Sequence, residues 1–199
     1  MSQQTLQYQA TTLGNEIFLL KNVIDAQTCQ HLIRIAETAD FQNAGILMET
    51  IDNSVRSNDL VQLGGANELS QSTNQLILGK LPVVKQFLFD QYGVRFPYAE
   101  PCSILRYRTH QFYKRHVDNI LLSSRFQEVQ QGIPTRDISV VGYLNDDFQG
   151  GETYFDRQDV KVSPYAGAVL LFPSYFTHPH QSLPILSGTK YAFTSWLFH

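Results

Sequence analysis

Arg136–Phe172 reads RDISVVGYLNDDFQGGETYFDRQDVKVSPYAGAVLLF, and this run decides the fold. Short segments rich in Val, Ile, Tyr and Phe follow one another at Ile138–Leu144, Glu152–Phe155, Asp159–Val162 and Ala168–Phe172. The turn residues of Asp146–Gly151 and Ser163–Gly167 punctuate them, as expected of strands joined by tight connections. Working outward, Cys102–Arg108 and Gln111–Val117 precede this run, and Lys190–Phe198 follows it after Ser187–Gly188. Many short strands with Gly- and Pro-rich breaks predict a mainly β domain with α, an antiparallel sandwich or jelly roll.

The part before residue 99 is mixed. Glu16–Leu20 has the composition of a short strand. Asp25 is a suitable N-cap for a helix over Ala26–Ala39, whose apolar stripe is Cys29, Leu32, Ile33 and Ile35. A second helical region lies within Glu68–Gln91, with Leu76, Leu78, Leu81, Val84, Phe87 and Leu88 on its apolar face. Pro82 should kink or split it. Ile51–Leu63 is polar and carries no clear pattern. We therefore expect a single domain over 1–199, with a helical and mixed part up to residue 98 and a jelly-roll core from 99. The N-terminal helices should pack on the outer face of one sheet.

Composition narrows the function. Hydrophobic residues make up 43% of the 199 and charged residues 17%, enough to build a core and too ordered a mixture for a disordered chain. A net charge of −3 without a basic cluster argues against nucleic acid as a partner. The apolar stretches are too short to cross a bilayer, so no membrane association is expected. MSQQTLQYQA lacks the basic and apolar regions of a signal peptide. Two cysteines, Cys29 and Cys102, show no paired spacing, which fits a reducing, cytoplasmic setting.

The chemistry concentrates in two places. In Tyr113-Lys114-Arg115-His116-Val117-Asp118-Asn119, strand alternation puts His116 and Asp118 on one side and Val117 on the other. An imidazole beside a carboxylate can fill two adjacent positions on a metal, but His-x-Asp alone is a weak motif. A 2-His-1-carboxylate set needs a further histidine from a remote strand and favours non-haem Fe(II). The second place, Phe172–Pro184, offers His178 and His180, and Lys190 follows inside an apolar strand. A buried lysine needs an anionic partner, such as a carboxylate co-substrate. The alternative is that Lys190 snorkels to the surface from a strand end.

Taken in order, these segments resemble the prolyl 4-hydroxylase family of Fe(II)/2-oxoglutarate dioxygenases. The resemblance runs from Ile17 to Phe198. It rests on IFLLKNVIDAQTCQHLI, VRSNDL, LRYRTHQFYKRHVDN, RDISVVGYLNDDFQGGETYF and HQSLPILSGTKYAFTSWL. YKRHVDN and PHQSLP also look like the protein prolyl hydroxylases of oxygen sensing. The resemblance implies a double-stranded β-helix (jelly roll) and a metal held by His116, Asp118 and a distal histidine. It implies Lys190 as the residue that binds the distal carboxylate of 2-oxoglutarate. His180 precedes Lys190 by ten residues and His178 by twelve, and the family spacing selects His180. Tyr107 and Tyr143 become candidates for lining the 2-oxoglutarate site, with a core-aromatic role as the alternative for each. Tyr113, three residues before His116, should face away from the ligand side, and Trp196 should support the core or lie near the substrate mouth.

Fe(II), 2-oxoglutarate and O2 are implied, with ascorbate as a candidate auxiliary. The implied reaction hydroxylates a C–H bond of a prolyl residue in a protein or peptide while 2-oxoglutarate is decarboxylated to succinate. A free amino acid or small metabolite is an alternative substrate, and an inactive metal-binding sensor or binding module is a third reading. Halogenating relatives lack the carboxylate, so Asp118 argues for hydroxylation. Asn119–Thr135 is either a lid or an ordinary surface loop. Two departures stand out: Ser139 where the family often has Thr, and bulky Thr109-His110 where it has a small residue. Oligomeric state is not legible.

Overall fold

The computed structural model describes residues 8–38, 42–43, 55–119 and 125–199. A hairpin opens the fold, β1 (Gln9–Gly14) with β2 (Ile17–Lys21). Helix α1 (Ala26–Thr38) starts at Asp25, whose carboxylate accepts from the Thr28 amide at 2.8 Å and its hydroxyl at 2.7 Å, the N-cap that the sequence suggests. Short β3 (Gln42–Asn43) pairs with β4 (Asp59–Gln62). Pro82 does split the second helical region, giving α2 (Glu68–Leu78) and α3 (Pro82–Tyr92). It sits in the first turn of α3, where a missing amide proton costs no hydrogen bond.

The remaining elements are β5 (Tyr98–Ala99), β6 (Ser103–Tyr107), β7 (Tyr113–His116) and α4 (Arg125–Gln130). They continue as β8 (Ile138–Tyr143), β9 (Gln149–Gly150), β10 (Thr153–Phe155) and β11 (Val160–Val162). Last come β12 (Val169–Pro173), β13 (His180–Ser182), β14 (Ile185–Ser187) and β15 (Lys190–Phe198). A large antiparallel sheet runs β1-β2-β12-β8-β15-β6-β4-β3, with β5 added beside β15. A smaller sheet runs β11-β10-β13-β7. β9 and β14 form a separate ribbon. The two facing sheets make the jelly roll that the strand pattern predicts.

Alternation along the strands separates two cores. Leu20, Val140, Leu171 and Phe193 face the helices and pack with Leu32, Ala36, Ile77, Val84 and Leu88. Ile17, Leu19, Tyr143, Leu170, Phe172 and Ala192 face the small sheet and meet Phe155 and Val162. The helices thus cover the outer face of the large sheet, as expected. Gly142 lies opposite Phe193, and a Cβ there would come within 1.9 Å of the ring. Glycine is what lets that ring lie flat on the sheet.

Four strands come from the part read as helical and mixed: β1–β4 extend the large sheet at its two ends. β1 is mostly exposed and lacks an inward-facing apolar set, so nothing in its side chains announced it. β13 and β14 were likewise not anticipated, being three residues each. Of the Asn119–Thr135 stretch, residues 120–124 lie outside the described residues, and part of the rest forms α4.

Candidate metal and co-substrate site

His116 closes β7 and His180 opens β13, and the pairing of these strands sets the two residues directly opposite each other. Asp118 follows β7 by two residues. Its Oδ1 lies 3.2 Å from Nε2 of His116 and 3.6 Å from Nε2 of His180. One donor atom from each of the three residues lies within 4.8 Å of the others. The sequence-predicted trio is therefore brought together, from the two middle-to-edge strands of the small sheet.

Each ring is oriented from behind. Nδ1 of His116 lies 2.7 Å from the Lys114 carbonyl, and Nδ1 of His180 lies 3.1 Å from the His178 carbonyl. A carbonyl only accepts, so Nδ1 carries the proton and the neutral ring presents its lone pair at Nε2. Burial pushes His180 down to about 4, against the pull of Asp118, so this ring is neutral and ready to ligate. Burial also works to raise the Asp118 carboxyl. The neighbouring His180 and His116 and a Ser139 hydrogen bond overcome it and hold that group well below the usual carboxylate range.

His178 is not at the centre. Its Nε2 donates to the Asn15 carbonyl at 2.6 Å, and Nδ1 pairs with the Thr177 hydroxyl at 2.9 Å. Thr177 and His178 precede β13, so strand alternation does not carry back to them. The ring fastens the β1–β2 turn to the small sheet.

Tyr113 departs from expectation. Its ring stacks on His116 at 3.5 Å between centroids, and the Arg56 guanidinium lies over the same tyrosine ring at 4.6 Å from its centroid. The reason is a bulge. Residues Tyr113 and His116 span three steps on β7 while Ser182 and His180 span two on β13. The extra residue resets the alternation, leaving Lys114 and Arg115 both exposed and Tyr113 beside His116, three residues on.

Lys190 does not snorkel: it is 2% exposed. Its ammonium donates to the Gly151 carbonyl at 2.6 Å and to the Ser182 hydroxyl at 3.3 Å. The rings of Tyr107 and Tyr143 lie 5.2 and 5.5 Å away. No carboxylate forms an ion pair with it among the described residues; Glu152 acts only at longer range. Burial pushes the lysine down to about 7. Gly151 holds a positive φ of 68°, and a Cβ there would meet Ile185 at 2.4 Å, so glycine is needed to aim that carbonyl inward.

Both candidate tyrosines sit in this pocket as well as in the core. The Tyr143 hydroxyl pairs with Thr153 at 2.9 Å, and that of Tyr107 is beside Ser182. Burial raises both phenols, Tyr107 to about 12, so both hydroxyls remain donors.

Sequence reasoning missed the groups that grip Asp118. Ser139 donates to its Oδ2 at 2.7 Å, and Arg136 to its backbone carbonyl at 2.8 Å. Arg136 also forks onto Glu100 at 2.6 and 2.8 Å and lies 3.5 Å above the Trp196 ring. A serine pointing inward within Ile-Ser-Val-Val was the available signal, because a buried hydroxyl needs a partner. A cleft of about 480 Å³ between α1 and the turns near Asp146 and Gly188 is lined by none of these residues.

The sequence profile of the 2OG-Fe(II) oxygenase superfamily matches residues 102–198, which contain the trio and Lys190. Residues 102–198 form a domain of that superfamily. Among relatives of this oxygenase is "Putative prolyl 4-hydroxylase" of Acanthamoeba polyphaga mimivirus, 27% identical over 92% of this chain and 74% of the viral one. Prolyl 3-hydroxylase 2 of Homo sapiens is 34% identical over 41% of the chain, which spans only 13% of the human protein's length. A prolyl hydroxylase from Trichoplax adhaerens, solved with a hypoxia inducible factor oxygen degradation domain peptide fragment, superposes with a TM-score of 0.69. It is 20% identical, over 92% of this chain and 84% of that one. As a 2OG-Fe(II) oxygenase, the chain uses Fe(II), 2-oxoglutarate and O2. The residues fit that set. Two imidazole nitrogens and one carboxylate oxygen are suitable donors for Fe(II), and a buried ammonium without an anion suits a dicarboxylate.

Proposed function

We propose that this protein is a prolyl hydroxylase acting on a peptide or protein, with iron held by His116, Asp118 and His180. The observation that carries the reading is the pairing of a converging His-Asp-His set with Lys190, a buried cation with no ion-paired carboxylate among the described residues. The mimivirus relative and the Trichoplax neighbour with its bound peptide fragment support a prolyl residue in a peptide as the substrate.

Each side chain has a defined task. Nε2 of both histidines and Oδ1 of Asp118 hold the metal, leaving other positions for co-substrate and oxygen. Lys190 pairs with the distal carboxylate of 2-oxoglutarate, and that ligand supplies the anion the lysine lacks. Tyr107 and Tyr143 wall the pocket with their rings and exclude water from a site that handles a strong oxidant. The stacked Arg56, Tyr113 and His116 form a second wall beside the metal. Iron, with 2-oxoglutarate and O2, supplies the oxidation that no side chain here can perform, placing one oxygen atom on the C–H carbon and the other in succinate, with loss of CO2.

The test is anaerobic addition of Fe(II) and 2-oxoglutarate, followed by oxygen and a library of proline-containing peptides beside free proline. A visible charge-transfer band, succinate, and a peptide gaining one oxygen on proline are expected. Oxidation of free proline alone would overturn the peptide substrate. Absence of both band and succinate would overturn the enzyme reading and favour a metal-binding module.

A further inference from the structure

Ser139 and Ser174 form a buried hydroxyl pair behind the carboxylate ligand. They are 0% and 1% exposed. Ser139 lies on the inward face of β8, and Ser174 directly follows β12. Their oxygens are 2.8 Å apart, and Oγ of Ser139 is 2.7 Å from Oδ2 of Asp118.

The proton order follows from the acceptor. An ionised carboxylate only accepts, so Ser139 donates to Oδ2. Its oxygen is then the acceptor for Ser174, and the chain runs Ser174 to Ser139 to Asp118. Hydrogen bonds in series polarise one another, and a bond ending on a charge is the stronger kind.

The same corner fixes the backbone. The Asn119 amide donates to the Ser174 carbonyl at 3.0 Å, and the Ser174 amide to the Asp137 carbonyl at 2.9 Å. Arg136 holds the Asp118 carbonyl. With the backbone and Oδ2 both tied, the carboxylate offers Oδ1 alone to the two imidazoles.

We propose that the Ser174–Ser139 pair is a positioning device that keeps Asp118 a one-oxygen ligand and so keeps a coordination position open for co-substrate or oxygen. This rests on the metal reading of the trio given above. A carboxylate with both oxygens free can turn and occupy a second position on the metal. An alanine at position 139 would fill the strand without that constraint.

The experiment uses the full chain and Co(II) alone, whose visible d–d bands report coordination number. Co(II) is titrated into the parent, Ser139→Ala, Ser139→Thr and Ser174→Ala, with circular dichroism and thermal melts as the check on folding. Ser139→Ala should weaken Co(II) binding about 10- to 100-fold and change the intensity of the d–d bands. Ser139→Thr, which keeps the hydroxyl, should restore both. Ser174→Ala should shift affinity and bands in the same direction by a smaller factor. A folded Ser139→Ala with the parent's affinity and spectrum would overturn the proposal, as would a Thr variant that behaves like Ala. If Ser139→Ala does not fold, Ser174→Ala decides, and parent-like values there overturn it. A parent that binds no metal would overturn the iron reading itself, and this inference with it.

Discussion

The two ends of the site are built on opposite principles. At the metal corner each of the three candidate ligands is already held in place by a second group. Both rings are anchored through Nδ1, and Asp118 is held by Ser139 and Arg136. At the Lys190 end the buried ammonium donates to a carbonyl and a hydroxyl, and no carboxylate among the described residues forms an ion pair with it. The metal corner is preorganised, since its geometry exists before any ligand arrives. The lysine pocket is frustrated, since burying an unpaired charge costs stability until an anion enters. The lesson is that one fold can place a rigid ligand set beside a group that only its ligand satisfies.

This contrast can be broken most forcefully at the metal corner. His180→Ala should abolish Co(II) binding at concentrations that saturate the parent, and remove any metal-dependent rise in melting temperature. Retained tight binding would mean that the trio is not the metal site. At the other end, Lys190→Met should leave Co(II) affinity unchanged while weakening 2-oxoglutarate by on the order of 100-fold or more, about 3–5 kcal/mol. Calorimetry with each ligand separates the two. An equal loss of both would show that the ends are not independent.

The frustration has a pH signature with a definite sign. Folding lowers the Lys190 pKa to about 7, so above that value the unfolded chain holds the proton more firmly than the folded one. Unfolding free energy contributed by this group therefore increases as pH climbs above 7, towards the lysine's ordinary range. Urea titrations of the ligand-free protein between pH 7 and 8.5 should show that increase, and Lys190→Met should lack it and be the more stable protein at pH 7. That window stays below the ordinary thiol pKa of 9.0, from which burial raises Cys29 and Cys102 and above which they would oppose the trend.

The smallest effect belongs to His178. Removing it by His178→Ala should cost about 1–2 kcal/mol of stability through the lost bonds to Asn15 and Thr177, with Co(II) affinity intact. Loss of metal binding there would undo the assignment of the distal ligand.

Much of this was legible in the chain itself. His-x-Asp at a strand end and Asp25 before an apolar stripe are local patterns with local causes, and the ten-residue step from His180 to Lys190 took its meaning from the family resemblance. The jelly roll followed from short β-rich segments with turn residues between them. The Tyr113 bulge was not legible, because it is a mismatch between two strands remote in sequence. Neither was β1, whose side chains are mostly exposed and whose strand state comes from pairing with β2.

The division has one physical reason. Residue type, alternation and spacing act along the chain, so the sequence by itself carried the fold class and the His116–Asp118 pairing, while the family resemblance pointed to His180 and Lys190. Register, burial and hydrogen-bond partners arise between segments far apart in the chain. Only tertiary structure could set His116 against His180, send His178 to Asn15 instead, bury Lys190 with no ion-paired carboxylate among the described residues, and place Ser174 and Ser139 in line behind Asp118.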